Sequence, residues 1–293
     1  MSEARADAWT VQRMLQWMTQ DFMGLGVATP RLDAELLLSS VLSCDRVRLY
    51  MDMPRPLSRA ELDAVRGLVQ RRRKREPVAY ILGAREFYRH SFEVGPGVLV
   101  PRPETELVVD RALAALPRDA AEPSFALDLC TGSGVIAITL AAEREALRVD
   151  ATDLSPEALA IAARNVARNE VGERVTLHRG DLFEPLPTGR RYAVITANPP
   201  YVADGDYAGL APEITAHEPK LALVAGADGL DVLRRICAQA AEWLAASGML
   251  IVELGAGQAA PVMQLLAATQ RFTDIAAHRD LGGIDRVVEA RLG

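Results

Sequence analysis

Hydrophobic residues recur at helical spacing along the first quarter of the chain. In residues 9–23, apolar side chains return every three or four positions, which predicts an amphipathic helix. Further along, Ser58 is followed three residues later by Glu61, a pattern typical of a capping box at the start of another helix. The pattern therefore predicts a small all-helical domain over residues 1–76.

The pattern changes between residues 77 and 103. Apolar and polar residues alternate here on both sides of the turn-forming sequence Gly95-Pro96-Gly97, which predicts a short hairpin or an extended linker. The segment ends in a rigid Pro-Arg-Pro sequence. We therefore predict that the domain boundary lies within residues 77–103.

From residue 104 to residue 293, short apolar runs alternate with helical patterns. The predicted strands are FALDL, RVDATDL, VTLHRG, YAVITA, MLIVELG, FTDIAAHRD and RVVEARL. Strands that alternate with helices predict a mostly parallel, doubly wound sheet. No helical pattern separates the last two strands, which predicts an antiparallel edge. The prediction is an α/β domain with a seven-stranded, mostly parallel sheet.

Composition narrows the class of protein. The chain has 293 residues, of which 49% are hydrophobic and 25% charged, an ordinary globular balance. It has no apolar run of transmembrane length and no apolar leader, so we expect a cytoplasmic protein without a membrane partner. Its three cysteines and four histidines are scattered without metal-ligand spacing, which predicts reduced thiols and no metal site. A net charge of −6 argues against a dedicated nucleic-acid binder.

One run of basic residues contrasts with the negative net charge of the chain. Five consecutive basic residues occupy Arg71 to Arg75 at the end of a predicted helix. Positive charge at a helix C-terminus is favoured by the macrodipole, so a solvated helix end is one interpretation. A contact for an RNA-rich partner is the other.

A glycine-rich turn lies between a predicted strand and a predicted helix, in LDLCTGSGVIA at residues 127–137. Gly132 and Gly134 permit close approach of a ligand to the backbone, and the helix start offers free N–H groups. Asp153 follows Gly134 by 19 residues, at the end of the next strand, where a carboxylate can accept both ribose hydroxyls. The pattern predicts a nucleoside-bearing cofactor, either a nicotinamide dinucleotide or S-adenosylmethionine. A tight turn without a ligand is the alternative.

A second candidate segment, RGDLFEPL at residues 179–186, follows the third strand. Asp181 is a candidate acceptor for an adenine amino group, and Phe183 is a candidate cover for the adenine ring. An ordinary surface loop would have the same composition.

The third segment, Asn198-Pro199-Pro200-Tyr201, follows the fourth strand and is expected beside the cofactor. An enzyme that methylates a planar nitrogen needs such a sequence, because the nitrogen lone pair is delocalised and must be oriented. The Asn198 side-chain oxygen and the Pro199 carbonyl can accept the two N–H groups, and the Tyr201 ring can stack on the flat target. The alternative is a turn that only ends the strand.

The ordered set of motifs resembles the peptide chain release factor glutamine methyltransferases (the PrmC/HemK family) within the class I S-adenosylmethionine-dependent methyltransferases. The resemblance spans nearly the whole chain. The segments that carry it are PRLDAELLL, EPVAYILGAREF, VLVPRPETELVV, LDLCTGSG, ATDLSPEALAIAARN, GDLFEPL, NPPY, HEPKLAL, GADGLDVLRRI and RDLGGIDRVV.

The resemblance implies a monomeric, cytosolic enzyme that methylates the glutamine side chain of a Gly-Gly-Gln motif in bacterial release factors. It implies that the helical domain engages the substrate protein. Glu104 would lie near the mouth of the site without an assigned role. The residues implied in binding are Cys130, Thr131, Gly132, Ser133 and Gly134 for the cofactor loop, Asp153 for the ribose, Asp181 and Phe183 for the adenine, and Asn198, Pro199, Pro200 and Tyr201 for the glutamine.

Two positions depart from that family pattern. Cys130 replaces a common glycine, as in the sister branch that methylates a ribosomal protein of the large subunit, and Ile284 replaces a common arginine. Three alternatives therefore remain beside the release factor: the ribosomal protein as substrate, adenine-N6 methylation of nucleic acid, and a cofactor-binding adaptor that needs no Asn198.

Overall fold

The structure is a computed structural model that describes residues 8–117 and 123–293. The residues with helical spacing near the N-terminus form helices in it. Its helices are α1 (Val11–Gly24), α2 (Pro30–Leu42), α3 (Arg46–Met51), α4 (Arg59–Arg73), α5 (Val78–Leu82), α6 (Glu106–Ala115), α7 (Val135–Glu143), α8 (Pro156–Arg168), α9 (Pro212–His217), α10 (Asp231–Gln239) and α11 (Ala259–Ala268). Its strands are β1 (Ala84–Phe87), β2 (His90–Glu93), β3 (Ser124–Leu129), β4 (Leu147–Asp153), β5 (Val175–Arg179), β6 (Tyr192–Ala197), β7 (Leu244–Glu253), β8 (Phe272–Arg279) and β9 (Asp285–Leu292).

The chain divides into two compact units, and the break between Gly83 and Ala84 lies inside the segment 77–103. The first comprises residues Met1–Gly83 and Pro212–His217, and the second comprises Ala84–Ala211 and Glu218–Gly293. The first unit therefore extends to the end of α5 and takes α9 from a distant part of the sequence. The described residues contain no helix with the length and apolar character needed to cross a membrane.

The first unit is built around the apolar faces of its helices. Leu15, Met18 and Phe22 of α1 pack in one core cluster with Leu38 of α2 and Val65 of α4. The predicted capping box at the start of α4 is confirmed, because Ser58 and Glu61 exchange both hydrogen bonds. The capping box satisfies two backbone donors that a helix start otherwise leaves without partners.

The basic run at the end of α4 largely makes ion pairs within this unit. Arg72 is almost fully buried and donates to Asp33 and to Glu213 of α9, each at 2.8 Å. Arg75 donates to the other oxygen of Glu213 at 2.7 Å. Arg73 pairs with Asp21 but keeps 48% of its side chain exposed. The solvated-end interpretation therefore describes Arg73, whereas Arg72 and Arg75 anchor α9 within the unit.

The second unit contains the predicted seven-stranded, mostly parallel sheet, in the order β5-β4-β3-β6-β7-β9-β8. The strands from β5 to β7 pair in parallel, while β9 pairs antiparallel with both β7 and β8. The α/β fold class and the antiparallel edge predicted from the sequence are thus confirmed. The sheet carries one apolar cluster on each face, as a doubly wound sheet requires.

Within the segment predicted as a hairpin or linker, residues 78–82 form α5 of the first unit, and residues 84–93 form a hairpin that belongs to the second unit. The strands β1 and β2 pair antiparallel, and their Phe87 and Phe92 side chains join the core cluster that contains Val108 of α6. Asn165 of α8 accepts a hydrogen bond from the Glu93 backbone at 2.6 Å and donates to its carbonyl at 3.0 Å. Residues 84–93 are therefore a packed part of the unit rather than a free connection.

The register of the sheet determines where its functional loops begin. Leu129 at the end of β3 lies opposite Thr152 of β4 on one side and Ala197 of β6 on the other. The three strands are parallel, so the loops that follow them leave the same edge. The crossover from β3 to neighbours on both sides is a topological switch point, where doubly wound folds bind ligands.

We expect the substitution Arg72→Met to destabilise the protein by about 3 kcal/mol, because it leaves the buried carboxylate of Asp33 without a counter-charge and leaves Glu213 with Arg75 alone. Equilibrium unfolding in urea measures this loss. The matched control is Arg66→Met, since Arg66 pairs with Asp63 on an exposed helix face, where ion pairs contribute less than ~1 kcal/mol. Equal losses in the two variants would show that the buried ion pairs of Arg72 contribute no more to the free energy of unfolding than an exposed pair does.

Candidate active site

A cavity of about 300 Å³ opens at the edge where β3, β4 and β6 end. All the residues that line it belong to the second unit. The lining comes from the loops after these strands and after β5, from the starts of α7 and α8, from a segment before α6 and from residues between Pro219 and Arg235. Such a concave, mostly apolar site with a few convergent polar groups is the usual form of a cofactor pocket.

The glycine-rich turn after β3 forms one wall, and Cys130, Thr131, Gly132 and Ser133 line the cavity. Gly132 has φ +55°, a left-handed conformation that glycine adopts without strain, and its N–H donates to Asp153 at 2.8 Å. Gly134 lies outside the lining and precedes α7 with φ +84°. A Cβ on Gly134 would lie 2.8 Å from Ile138, so this glycine serves the close packing of the turn on its helix.

Cys130 also has a left-handed backbone, with φ +56°. This conformation explains physically why glycine suits the same position, because a side chain is strained there. Burial, with the negative charges of Asp153 and Asp128, raises the pKa of the Cys130 thiol. The thiol is therefore protonated and neutral, and it forms part of the cavity wall without acting as a nucleophile.

Asp153 ends β4 and lies on the adjoining wall of the cavity. One carboxylate oxygen accepts from Gly132 and the other from the Ser155 N–H at 2.9 Å. Burial raises the pKa of Asp153, while these backbone hydrogen bonds oppose the rise. Each carboxylate oxygen has a second lone pair, so the group can still accept hydroxyl donors from a ligand.

The loop after β5 brings one of its two predicted residues to the cavity and not the other. Asp181 lines the cavity as expected and accepts a hydrogen bond from Arg235, another lining residue, at 2.8 Å. Phe183 does not line the cavity: its ring is buried and stacks on Trp243, with centroids 5.8 Å apart. The neighbouring Leu182, which has φ +49°, lies in the wall instead. Phe183 therefore belongs to the core, and Leu182 is the apolar side chain that this loop offers to a ligand.

The Asn198-Pro199-Pro200-Tyr201 segment begins directly after β6. Asn198 and Pro200 line the cavity, Pro199 is buried behind it, and Tyr201 lies outside the lining. The Asn198 side-chain nitrogen donates to the Thr105 hydroxyl at 3.1 Å. The Tyr201 hydroxyl lies 3.4 Å from Glu253. The predicted stacking of Tyr201 on a flat target remains a prediction.

This segment is irregular but firmly held by residues that the sequence analysis did not single out. The Tyr201 and Val202 N–H groups both donate to the Leu223 carbonyl, at 3.1 and 2.7 Å. The Gln258 amide donates to the Tyr201 carbonyl at 2.9 Å. Gly229 packs against the same carbonyl so closely that a Cβ would lie 2.2 Å from it. The GADGLD sequence therefore works as a support for Tyr201.

A buried carboxylate fixes the opposite wall. Glu218, in the HEPKLAL sequence, accepts from the Val100 N–H at 3.1 Å and from Arg102 at 2.6 Å. Leu99 and Pro101, which alternate with these two residues, line the cavity. Glu218 thus holds the segment before α6 in place.

Two further buried carboxyl groups lie behind the site. Burial raises the pKa of Asp128 to about 7, against hydrogen bonds donated by Thr131 and Thr196. Burial likewise raises the pKa of Glu253 to about 7. Such shifts cluster at functional sites, and the signal in the sequence is only an acidic residue inside an apolar strand.

Comparisons with known proteins fit this geometry. A family model described as PrmC N-terminal domain matches residues 13–83, and one described as Methyltransferase small domain matches residues 108–221. The release factor glutamine methyltransferase of Geobacter sulfurreducens is 45% identical over 99% of both chains. The enzyme of that name from Coxiella burnetii is 41% identical over 90% of this chain and 93% of its own.

Among solved structures, a 16S rRNA N2 G1207 methyltransferase from T. Thermophilus, in complex with AdoMet and guanosine, superposes with a TM-score of 0.53. The two are 17% identical, and the match covers 72% of this chain and 50% of that one. This likeness concerns the fold alone.

The support of Tyr201 by Gly229 yields a test. Gly229→Ala should destabilise the protein by roughly 3 kcal/mol, because it adds a clash with the Tyr201 carbonyl to the strain of φ +75°. Gly189→Ala is the matched control, since Gly189 has φ +81° but nothing within 4 Å of its Cβ position. Urea unfolding should give a loss of only about 1 kcal/mol for the control. Similar losses in both would mean that backbone strain, not contact with Tyr201, explains the glycine.

Proposed function

The chain belongs to the release factor glutamine methyltransferase family, and on that premise we propose that it methylates the glutamine side-chain amide in the Gly-Gly-Gln motif of peptide chain release factors. The methyl donor is S-adenosylmethionine. The observation that carries the proposal is the convergence of the glycine-rich turn, Asp153 and Asn198 on one cavity.

The residues of the cavity fit S-adenosylmethionine. Gly132 provides an open backbone surface where nothing lies within 4 Å of its Cβ position, and Asp153 keeps lone pairs for the ribose hydroxyls. Asp181 and Leu182 both line the cavity, and in this proposal Asp181 accepts from the adenine amino group while Leu182 packs against the ring. When bound, the cofactor supplies an electrophilic methyl group on a positively charged sulfur.

The protein's own contribution to the reaction is orientation. An amide nitrogen is a poor nucleophile because its lone pair is shared with the carbonyl. The Asn198 side-chain oxygen and the Pro199 carbonyl accept the two N–H groups of the glutamine, which turns the nitrogen toward the methyl group and stabilises the positive charge that develops on it. No side chain of the enzyme forms a covalent bond.

The decisive experiment is mass spectrometry of a purified bacterial release factor after incubation with the enzyme and S-adenosylmethionine. One added methyl group on the Gly-Gly-Gln glutamine is expected, and none on a release factor whose glutamine is replaced by glutamate, which lacks the amide nitrogen. Ribosomal large subunits from cells that lack the enzyme serve as the competing substrate. Methylation of a ribosomal protein alone would contradict the proposed substrate.

Asn198→Ala should lower the rate of methyl transfer by roughly a hundredfold or more, because removal of one positioned hydrogen-bonding group in a reaction site typically costs that much. Binding of S-adenosylhomocysteine, measured by calorimetry, should change by less than about threefold, since the glycine turn and Asp153 remain. Asn169→Ala is the control, because the Asn169 amide bonds within its own helix and to the hairpin. Unaltered turnover in Asn198→Ala would contradict the assigned role.

Asp153→Asn should weaken S-adenosylhomocysteine binding by roughly tenfold, because the new NH₂ group faces one of the backbone donors from Gly132 or Ser155 and no longer accepts like a carboxylate. Calorimetric titration measures the change. The control is Glu157→Gln, which alters a nearby but exposed carboxylate outside the cavity lining. Equal affinities for all three proteins would remove Asp153 from the cofactor site.

A further inference from the structure

The buried face of α8 carries one polar side chain. The buried residues of this helix are Ala158, Ile161, Ala162, Asn165 and Val166, and Asn165 is the polar member of the set. Asn165 is 0% exposed. Polar groups buried to this extent are almost always hydrogen-bonded, so the partners of Asn165 show what the residue does.

The first partner belongs to the hairpin. The Asn165 side-chain oxygen accepts from the Glu93 N–H at 2.6 Å, and the Asn165 NH₂ group donates to the Glu93 carbonyl at 3.0 Å. The side-chain amide thus pairs with Glu93 as the backbone of a neighbouring strand would. This pairing fixes which end of the amide carries the oxygen, because the reversed amide would place donor against donor and acceptor against acceptor.

The second partner belongs to the glycine-rich turn. Asn165 donates to the Ser133 carbonyl at 2.9 Å. Ser133 lines the cavity and is itself only 3% exposed. An amide NH₂ group has two hydrogens, and Glu93 and Ser133 take one each. One buried side chain therefore joins the hairpin to the turn that the proposed function assigns to the cofactor.

Two walls of the cavity rest on α8. On one side, a Cβ on Gly134 would lie 3.4 Å from Ala162, so the glycine-rich turn packs directly on the helix. On the other side, a Cβ on Gly97 would lie 3.1 Å from Glu157, and Gly97 is one of the residues after β2 that line the cavity. The position of the two walls relative to each other therefore depends on how each is fixed to α8.

Resting on the proposed function, we propose that Asn165 is a positioning residue for cofactor binding. Its amide fixes the glycine-rich turn and the hairpin to each other and so holds the two walls at the spacing that S-adenosylmethionine fits. Asn165 lies outside the cavity lining, so it acts through Ser133 and Glu93 rather than by touching the cofactor. The methyl transfer derived above depends on it only through cofactor affinity.

Loss of the Asn165 amide would loosen the turn before the cofactor binds. The Ser133 carbonyl would lose a buried partner, which favours conformations of the turn in which this carbonyl reaches water. A ligand that binds one of several conformations has its affinity reduced by the fraction of the protein that adopts that conformation. The expected effect is therefore on cofactor affinity, with little change in the maximal rate at saturating cofactor.

The first test is calorimetric titration of Asn165→Ala with S-adenosylhomocysteine. The affinity should fall by roughly tenfold, because loss of a hydrogen bond that leaves a buried carbonyl unpaired shifts a local equilibrium by about that factor. The maximal rate on a purified release factor at saturating S-adenosylmethionine should stay within about threefold of wild type, since Asn198 is unaltered. All titrations are made well below the unfolding midpoint of each variant, so that a loss of global stability does not enter the affinity.

Asn169→Ala is the matched control. Asn169 lies on the same helix, and its side-chain amide donates to the Asn165 carbonyl at 2.9 Å and to the Ser91 carbonyl of the hairpin at 3.5 Å. Neither bond reaches the glycine-rich turn. The affinity of this variant for S-adenosylhomocysteine should stay within about twofold of wild type, because the population of the binding conformation is unchanged.

Asn165→Asp is the variant of equal size. Its carboxyl group can still accept from the Glu93 N–H but cannot supply the two donors that the carbonyls of Glu93 and Ser133 need. It should also weaken S-adenosylhomocysteine binding by roughly tenfold.

Hydrogen exchange, measured by mass spectrometry on the peptides that contain the turn, tests the positioning without a bound cofactor. In wild type the turn should already exchange slowly, and S-adenosylhomocysteine should slow it by less than about tenfold. In Asn165→Ala the turn and the hairpin should both exchange faster, and bound S-adenosylhomocysteine should restore the turn. The measurement on wild type tests the inference even where a variant fails to fold.

The outcomes separate this inference from the proposed function. Weaker S-adenosylhomocysteine binding in both Asn165 variants, with the Asn169→Ala affinity and the maximal rate of Asn165→Ala close to wild type, supports it. Unchanged affinity in both Asn165 variants would reduce the residue to packing. A lower maximal rate at unchanged affinity would place its effect on the substrate, and a wild-type turn that exchanges as freely as an exposed loop would show that the turn is not held in advance. Each of these three results overturns the inference and leaves the proposed function intact.

Failure of the proposed function has its own signature. A wild-type protein that binds S-adenosylhomocysteine but does not methylate the release factor would overturn the proposed function, while the affinities of the Asn165 variants would still decide the inference. A wild-type protein that does not bind S-adenosylhomocysteine would overturn both.

Discussion

The parallel pairing of β3 with β4 on one side and β6 on the other is the constraint on which the rest of the site depends. Because these strands run in the same direction and end in register, the glycine turn, Asp153 and Asn198 leave the sheet at one edge. The residues proposed for the cofactor and those proposed for the substrate amide therefore line a single cavity. The sheet topology determines where the site lies, and the side chains determine its chemistry.

The loops that the sheet brings together are irregular, so their precision comes from a second layer of contacts. Leu223, Gly229 and Gln258 hold the backbone of Tyr201, while Glu218 holds the segment that carries Leu99 and Pro101. These supports lie in sequence motifs that carry no reactive group. Fixed geometry at a reacting centre requires such supports, because orientation is the enzyme's main contribution to amide methylation.

The sequence predicted what depends on local pattern and missed what depends on long-range contacts. The alternating strands, the capping box of α4 and the glycine turn are local, and the structure confirms them. Phe183 lies in the core and Leu182 in the cavity wall, because the left-handed backbone of Leu182 decides which of these two adjacent side chains faces the cavity, and sequence pattern does not report that angle. The burial of Arg72 depends on Glu213, which is 141 residues away in the sequence. The local sequence therefore shows only a run of basic residues and does not reveal this contact.

The origin of α9 has a consequence for how this protein can be divided. Helix α9 belongs to the first unit, although the residues on both sides of it, up to Ala211 and from Glu218, belong to the second. The helical unit is therefore a discontinuous domain, and a single cut at Gly83 would separate it from the carboxylate that Arg72 and Arg75 share. Fragment complementation would need a peptide containing α9, and neither domain can be exchanged between relatives as one uninterrupted cassette.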